Sequence, residues 1–168
     1  MHAFHAAKQE TNARALAADG LFAGLLAAIA VSLAFLIFDA IQGAPLHTPS
    51  VLGAKLFYGD DAARTMTTDV PTALAYNGIH FLAFVLGGLL VAYVAGVVER
   101  YPRYWYLAFT AVAFILAAIV YVDGAFGVTG LGPLRLSAVA LLGCGVMIAF
   151  LLWRHPDIQR HLDDVWKD

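Results

Sequence analysis

The strongest constraint on this chain is the segment 76–99, YNGIHFLAFVLGGLLVAYVAGVVE, which is apolar almost throughout and carries a single histidine, His80. A helix needs about 20 consecutive apolar residues to cross the hydrocarbon core of a bilayer. This segment is long enough, and other apolar runs in the chain approach its length. The pattern predicts four membrane-spanning helices, at about 21–41, 72–98, 105–122 and 134–153.

Composition supports a membrane protein. Hydrophobic residues make up 61% and charged residues only 13% of the 168 residues, whereas about 25% of an ordinary soluble domain is charged. We therefore expect an all-α integral membrane protein, a four-helix bundle in which 1–168 is a single transmembrane domain. The net charge of -2 and the lack of a basic cluster exclude a nucleic-acid partner. The expected partners are the lipid bilayer and either other membrane-protein subunits or further copies of the chain.

The first connection between spans contains its own helix signal. Thr48 is the expected N-cap and Pro49 the first helical residue of a short helix at about 49–58. Its apolar side and single charge, Lys55, suit a helix that lies at the membrane surface. Asp69 or Thr72 is expected to cap the next span. The terminal segments at about 6–18 and 157–168 are predicted to be short amphipathic surface helices.

The distribution of lysine and arginine predicts the orientation, because cytoplasmic loops retain the excess of these residues. With four spans, one side of the membrane holds the larger set: Lys8, Arg14, Arg100, Arg103, Arg154, Arg160 and Lys167. The other side holds only Lys55, Arg64 and Arg135. Both termini are therefore expected in the cytoplasm, in a multi-pass protein of a bacterial inner membrane, with the helix at 49–58 outside.

Small residues recur along two of the predicted spans. Such residues let neighbouring backbones approach closely, which favours helix packing in a bilayer. The expected packing positions are Gly20, Gly24, Ala28 and Ser32 in the first span and Gly88, Ala92 and Gly96 in the second.

The four-span topology also predicts a polar layer near the external ends of the helices. Its members are Asp39, Asn77, His80, Asp123 and Arg135. Ionisable groups in a membrane are costly and suggest a function by default. His80 is thus a candidate ligand for a haem or a bacteriochlorophyll, a candidate proton carrier, or a hydrogen-bonding partner for a quinone ring. The structural alternative is that Arg135 pairs with the two aspartates while Asn77 and His80 bond to neighbouring helices.

Other chemistry is poorly supported. The lone cysteine, Cys144, rules out a disulfide or CxxC pair within the chain. No catalytic triad, phosphate-binding loop or metal-ligand set is recognisable, and His80 has no second buried histidine with which to hold a haem. The sequence favours a non-catalytic accessory subunit of a larger respiratory or photosynthetic electron-transport complex. The alternatives are a small redox, cofactor-binding or proton-handling protein that uses His80, and an oligomeric transporter of small solutes.

Overall fold

The computed structural model describes residues 2–101, 106, 110, 113, 117, 121 and 133–154, and it describes side chains at 14–98, 101, the five isolated positions and 137–154. These residues include five helices with defined bounds and no strand, and the isolated positions 106, 110, 113, 117 and 121 are also helical. The helices are α1 (His2–Ile41), α2 (His47–Tyr58), α3 (Asp60–Thr65), α4 (Val70–Arg100) and α5 (Pro133–Arg154).

Three of these helices are long and apolar enough to cross a membrane, over Arg14–Ile41, Val70–Val98 and Ser137–Arg154. The prediction of an all-helical membrane protein is confirmed at that level. Within the predicted span at 105–122 only residues 106, 110, 113, 117 and 121 are described, each in a helical conformation. The rest of that span, and with it the count of four, lies outside the described residues, as does the tail at 157–168. The chain has no separate amphipathic helix at 6–18, because α1 continues unbroken from His2 through Gly20.

Glycines bring α1 and α4 into antiparallel backbone contact. A Cβ on Gly88 would collide with the Gly20 carbonyl oxygen and the Gly24 backbone, and a Cβ on Gly20 would lie 2.9 Å from the Gly88 carbonyl oxygen. The contact continues at Ala92, which is buried, and at Gly96, which meets the Leu16 side chain. Because helices in a bilayer are held by close van der Waals packing, this glycine contact is a main attachment between α1 and α4.

Helix α5 packs mainly against α1 and also contacts α4. Buried Met147 and Leu151 contact the alanine face of α1 at Ala23 and Ala27. At the end of this contact the Arg154 Nε atom donates to the Asp19 carboxylate over 3.0 Å. The three long helices therefore share one core, in which alanines of α1 and α4 pack against Met147 and Leu151 of α5.

The connection from α1 to α4 folds back over the helix ends. Helix α1 ends at a turn in which Gly43 has a φ of 75° and the Ala44 N–H donates to the Asp39 carbonyl oxygen over 3.0 Å. This six-to-one bond is the signature of a Schellman motif, for which glycine is the preferred residue. Helix α2 follows, and then α3, where no helix was predicted from the sequence.

Candidate ligand-binding cavity

The start of α2 is held by an aspartate from α1. The Asp39 carboxylate accepts from the Thr48 backbone N–H over 2.7 Å and from the Thr48 hydroxyl over 2.5 Å. Asp39 is only 3% exposed, so both bonds are shielded from water. The prediction of Thr48 as N-cap is wrong: α2 begins at His47, its first residues have no local side-chain cap, and Asp39 supplies the missing acceptor.

Two further contacts fix α2 to the beginning of α4. The buried Ser50 hydroxyl donates to the carbonyl oxygens of Leu46 (2.7 Å) and Asp69 (3.1 Å), and it accepts from the Asp69 N–H over 3.0 Å. At Gly53 a Cβ would lie 2.7 Å from the Thr72 side chain. Helix α2 is therefore held firmly across the ends of α1 and α4.

Asp69 caps α4, as one of the two sequence-based alternatives proposed. Its carboxylate accepts from the Thr72 backbone N–H over 3.0 Å. The side-chain and backbone hydrogen bonds from Thr72 lower the pKa of Asp69 below its ordinary value of 3.8. The cap thus stabilises α4 as an ionised group at neutral pH.

A cavity of about 260 Å³ lies below α2 and between α1 and α4. Its wall is mostly Ile, Leu and Phe, and its polar members are Ser32, Thr48, Tyr76, Asn77 and His80. His80 is ten residues into α4, which places it ~15 Å from the start of that helix. That depth is about half of a hydrocarbon core of ~30 Å.

The cavity opens beside α1. Three of its lining residues, Ile29, Leu33 and Leu36, are 44%, 51% and 39% exposed on the surface of that helix. All three lie within the candidate span Arg14–Ile41. A molecule dissolved in the bilayer can therefore reach the cavity from the side, without crossing a polar surface.

His80 is held in this wall by aromatic rings. Its ring centroid lies 4.6 Å from that of Phe84 and 6.0 Å from that of Tyr76. One ring nitrogen, Nε2, is buried and has no hydrogen-bond partner among the described residues.

The Ser32 hydroxyl is the second polar atom of this kind, buried and without a hydrogen-bond partner in the described part of the chain. A serine within a helix often bonds to the carbonyl oxygen four residues earlier, but Ser32 does not make that bond to Ala28. Both atoms are enclosed by the wall, so a side-chain rotation must accompany any contact with a ligand.

The site suits a single ring better than a macrocycle. Pockets for drug-sized ligands have volumes of about 300–1,000 Å³, whereas a cavity of about 150 Å³ accommodates benzene. At about 260 Å³ this cavity is large enough for one substituted ring and too small to enclose a porphyrin. No group of three or more His, Cys, Asp or Glu side chains that could hold a metal ion occurs among the described residues.

The residues of the predicted polar layer have different positions. Asn77 and His80 line the cavity. Asp39 does not line it, but it is hydrogen-bonded to Thr48, which does. Asp123 and the Arg135 side chain lie outside the described residues. From the sequence, Ser32 was assigned only to helix packing and Tyr76 was given no role. Both are polar residues within apolar spans, and this is the one sequence feature that could have marked them as cavity residues.

Comparison with known proteins gives no match: no family model, curated protein or solved structure is significantly similar to the chain. The inferences below therefore depend on the geometry of the cavity.

Proposed function

We propose that this protein binds a lipid-soluble molecule and holds its ring-shaped head group in the cavity between α1, α2 and α4. The observation that carries the proposal is the pair of buried polar atoms, His80 Nε2 and Ser32 Oγ, which have no partner among the described residues. Leaving such an atom without a hydrogen bond costs about 1–3 kcal/mol. A ligand that forms a hydrogen bond with either atom removes this cost, and this gain in free energy favours binding in the cavity.

The composition of the wall favours an amphipathic ligand. Most of the wall is apolar, and its few polar groups lie on α1, α2 and α4 around one space. This combination of apolar walls with a few directed polar groups is typical of small-molecule sites. The opening beside Ile29 and Leu33 leaves a place for an apolar tail to extend into the bilayer.

Proton transport through His80 has less support. A relay needs a second titratable group within hydrogen-bond reach, directly or through one water. Among the described residues no Asp or Glu lines the cavity, and Asp39, the described carboxylate of the predicted layer, receives both of its described side-chain bonds from Thr48. Ligand binding, unlike a proton relay, does not require a second titratable group beside His80.

The accessory-subunit function predicted from the sequence also has less support than ligand binding. It depended on small-residue faces that were available to other subunits. In the structure Gly20 and Gly24 of α1 pack against Gly88 and Ala92 of α4 within the same chain. These faces are therefore occupied, and their presence no longer indicates an external partner.

Direct binding measurements test the proposal. The purified protein in lipid nanodiscs is titrated with decylubiquinone and decylubiquinol, and empty nanodiscs correct for partition into lipid. We expect saturable binding that is lost in Ser32→Leu, which fills the cavity. The matched control is Ala83→Leu, an exposed position on α4 that does not line the cavity.

Two outcomes would contradict the proposal. Binding that survives Ser32→Leu unchanged would place the ligand elsewhere. Failure of both compounds to bind above the level of empty nanodiscs would contradict the proposed binding site. Circular dichroism and size-exclusion chromatography establish that Ser32→Leu is folded, and Ser32→Ala, which removes only the hydroxyl, provides a milder second variant.

A further inference from the structure

We infer that the Asn77 side chain binds the head group of the ligand, and that this head group is an uncharged ring with a carbonyl or hydroxyl oxygen. This inference rests on the proposed function and adds a recognition residue and the chemical class of the ligand. It follows from two features of the cavity wall: a polar group that a ligand can contact directly, and a lack of charged side chains.

The Asn77 amide is available to a ligand. The side chain lines the cavity, is half-buried, and forms no hydrogen bond within the described part of the chain. Its oxygen and nitrogen atoms are not enclosed, whereas Ser32 Oγ and His80 Nε2 are the enclosed atoms without a partner among the described residues. A ligand can therefore bond to Asn77 without a side-chain rotation, which a bond to Ser32 or His80 requires.

The depth of Asn77 places an amide within the apolar part of the bilayer. Asn77 is seven residues into α4, which puts it ~10 Å from the start of that helix. An amide in such an environment loses its hydrogen bonds to water, and leaving it unpaired is costly. A ligand oxygen that accepts a hydrogen bond from the Asn77 amide offsets this cost.

Asn77 offers a ligand more hydrogen bonds than its neighbour Tyr76. An amide has two N–H donors and a carbonyl acceptor, whereas a phenol has a single O–H donor. The Thr48 hydroxyl, a third polar group of the wall, already donates its proton to Asp39. An amide N–H serves a carbonyl and a hydroxyl oxygen equally well, so Asn77 suits both oxidation states of a quinone.

The wall cannot balance a charged ligand. Among the described residues that line the cavity, none is Asp, Glu, Lys or Arg. Two charged side chains of the surrounding helices already have partners: Asp39 accepts from Thr48, and Lys55 pairs with Asp60 over 3.2 Å. A buried charge without a partner is far more costly than a neutral polar group. The cavity therefore disfavours carboxylates, phosphates and amines and favours an uncharged ring.

Three ligands with the same ring and tail separate the effect of the oxygen from that of charge. Methyl 4-decylbenzoate has an uncharged carbonyl group, 4-decylbenzoate has a carboxylate, and decylbenzene has neither. Dissociation constants are measured in nanodiscs at about pH 8, at which an ordinary imidazole is neutral, and empty nanodiscs correct for partition into lipid. We expect the ester to bind at least about tenfold more tightly than either of the other two.

Variants of Asn77 test the assignment to this residue. In Asn77→Leu, which removes the amide, the affinity of the ester should fall to that of decylbenzene, whose own affinity should not decrease. Tyr76→Phe should weaken the ester less than Asn77→Leu does. Ala83→Leu, which lies outside the cavity, should leave all three affinities unchanged.

A fourth variant exchanges the charge preference of the site. Asn77→Asp replaces the amide by a carboxylate of the same shape. The positively charged 4-decylbenzylamine should therefore bind more tightly to folded Asn77→Asp than to the unaltered protein. General damage to the structure would not produce such a gain, and its absence in the folded variant would contradict the contact with Asn77.

The comparison of ligands on the unaltered protein stands even if a variant does not fold. An ester that binds no better than decylbenzene, or a carboxylate that binds as tightly as the ester, would overturn the inference. Binding of decylubiquinone in the same nanodiscs would then show that the proposed function remains intact. An ester preference that persists in folded Asn77→Leu would overturn the assignment to Asn77. If decylubiquinone and decylubiquinol also fail to bind, the proposed function fails as well.

Discussion

The two halves of the α1–α4 pair are built differently. In the half that contains Gly20, Gly24 and Gly88, the backbones touch and no space remains. In the half that contains Ser32 and His80, larger side chains separate the helices, and α2 covers a cavity of about 260 Å³. One pair of helices thus provides both a rigid attachment and a binding space.

The difference shows how a small membrane protein can hold a cavity open. Close packing of α1 against α4 along their whole length would close the cavity if nothing kept the two helices apart. Here the glycine contact fixes α1 and α4 at one end, while Asp39 and Ser50 fix α2 across the other end. Substitutions at each end should therefore have separable effects, on stability at the glycine contact and on the cavity at α2.

The largest effect is expected from Gly88→Leu. Its side chain would collide with the Gly20 carbonyl oxygen and force α1 away from α4, at a cost of at least about 3 kcal/mol. Gly78→Leu is the matched control on the same helix, because a Cβ there meets nothing within 4 Å. Unfolding titrations in mixed detergent measure both variants. Equal stabilities would show that the glycine contact does not hold α1 to α4.

Asp39→Ala tests the end of the α1–α4 pair that α2 covers. It removes the acceptor for the Thr48 N–H and hydroxyl, and we expect a loss of about 2 kcal/mol together with faster hydrogen exchange at the α2 amides. Asp61→Ala, at an exposed position on α3, should change stability by less than about 0.5 kcal/mol. Unchanged exchange in α2 would mean that Asp39 is not what holds this helix.

A smaller effect is expected from Ser50→Ala. The Asp69 N–H would lose the Ser50 oxygen that it donates to, at a cost of about 1 kcal/mol. Ligand affinity should fall along with stability, because α2 covers the cavity. Thr65→Ala provides a control: its hydroxyl bonds only weakly and locally, over 3.3 Å to the Asp61 carbonyl oxygen, on an exposed surface. A Ser50→Ala protein as stable as the control would contradict the role given to this serine.

Arg154→Ala should lower stability only slightly, through its contact at the glycine-packed end. Its partner Asp19 is nearly buried, but the arginine side chain is 59% exposed, so solvent screens the pair. We expect a loss of about 0.5 kcal/mol, which decreases in high salt. Arg154→Lys should recover part of it. Ligand affinity should not change, and a marked change would show that the two ends are coupled.

The smallest effect concerns the pH dependence of the Asp69 cap. The Thr72 hydrogen bonds lower the folded-state pKa below 3.8, so the stabilisation is complete above pH 3.8 and is lost as the pH falls through the folded-state value. Asn also caps helices but does not titrate. The wild-type protein should therefore lose its greater stability relative to Asp69→Asn as the pH falls below 3.8. A difference that stays constant down to pH 2 would contradict this.

The sequence predicted the spans better than the site. Uninterrupted apolar runs such as the one around Leu86 and Leu90 identify a membrane helix without tertiary information. The capping of α2 was missed because its acceptor, Asp39, lies on the preceding helix and is brought into place only by the turn at Gly43. The role of Ser32 was missed because it depends on α1 and α4 bringing Ser32 and His80 to one cavity, an arrangement between helices that no spacing along one helix reveals.

The most direct measurement is nitrogen NMR of the histidine-labelled protein in lipid bilayers, with the His80 signals identified by their loss in His80→Phe. Nε2 of His80 has no hydrogen-bond partner among the described residues, and we predict that decylubiquinol or decylubiquinone shifts the His80 nitrogen signals on binding. His80 signals that respond to neither compound would contradict the proposed binding site.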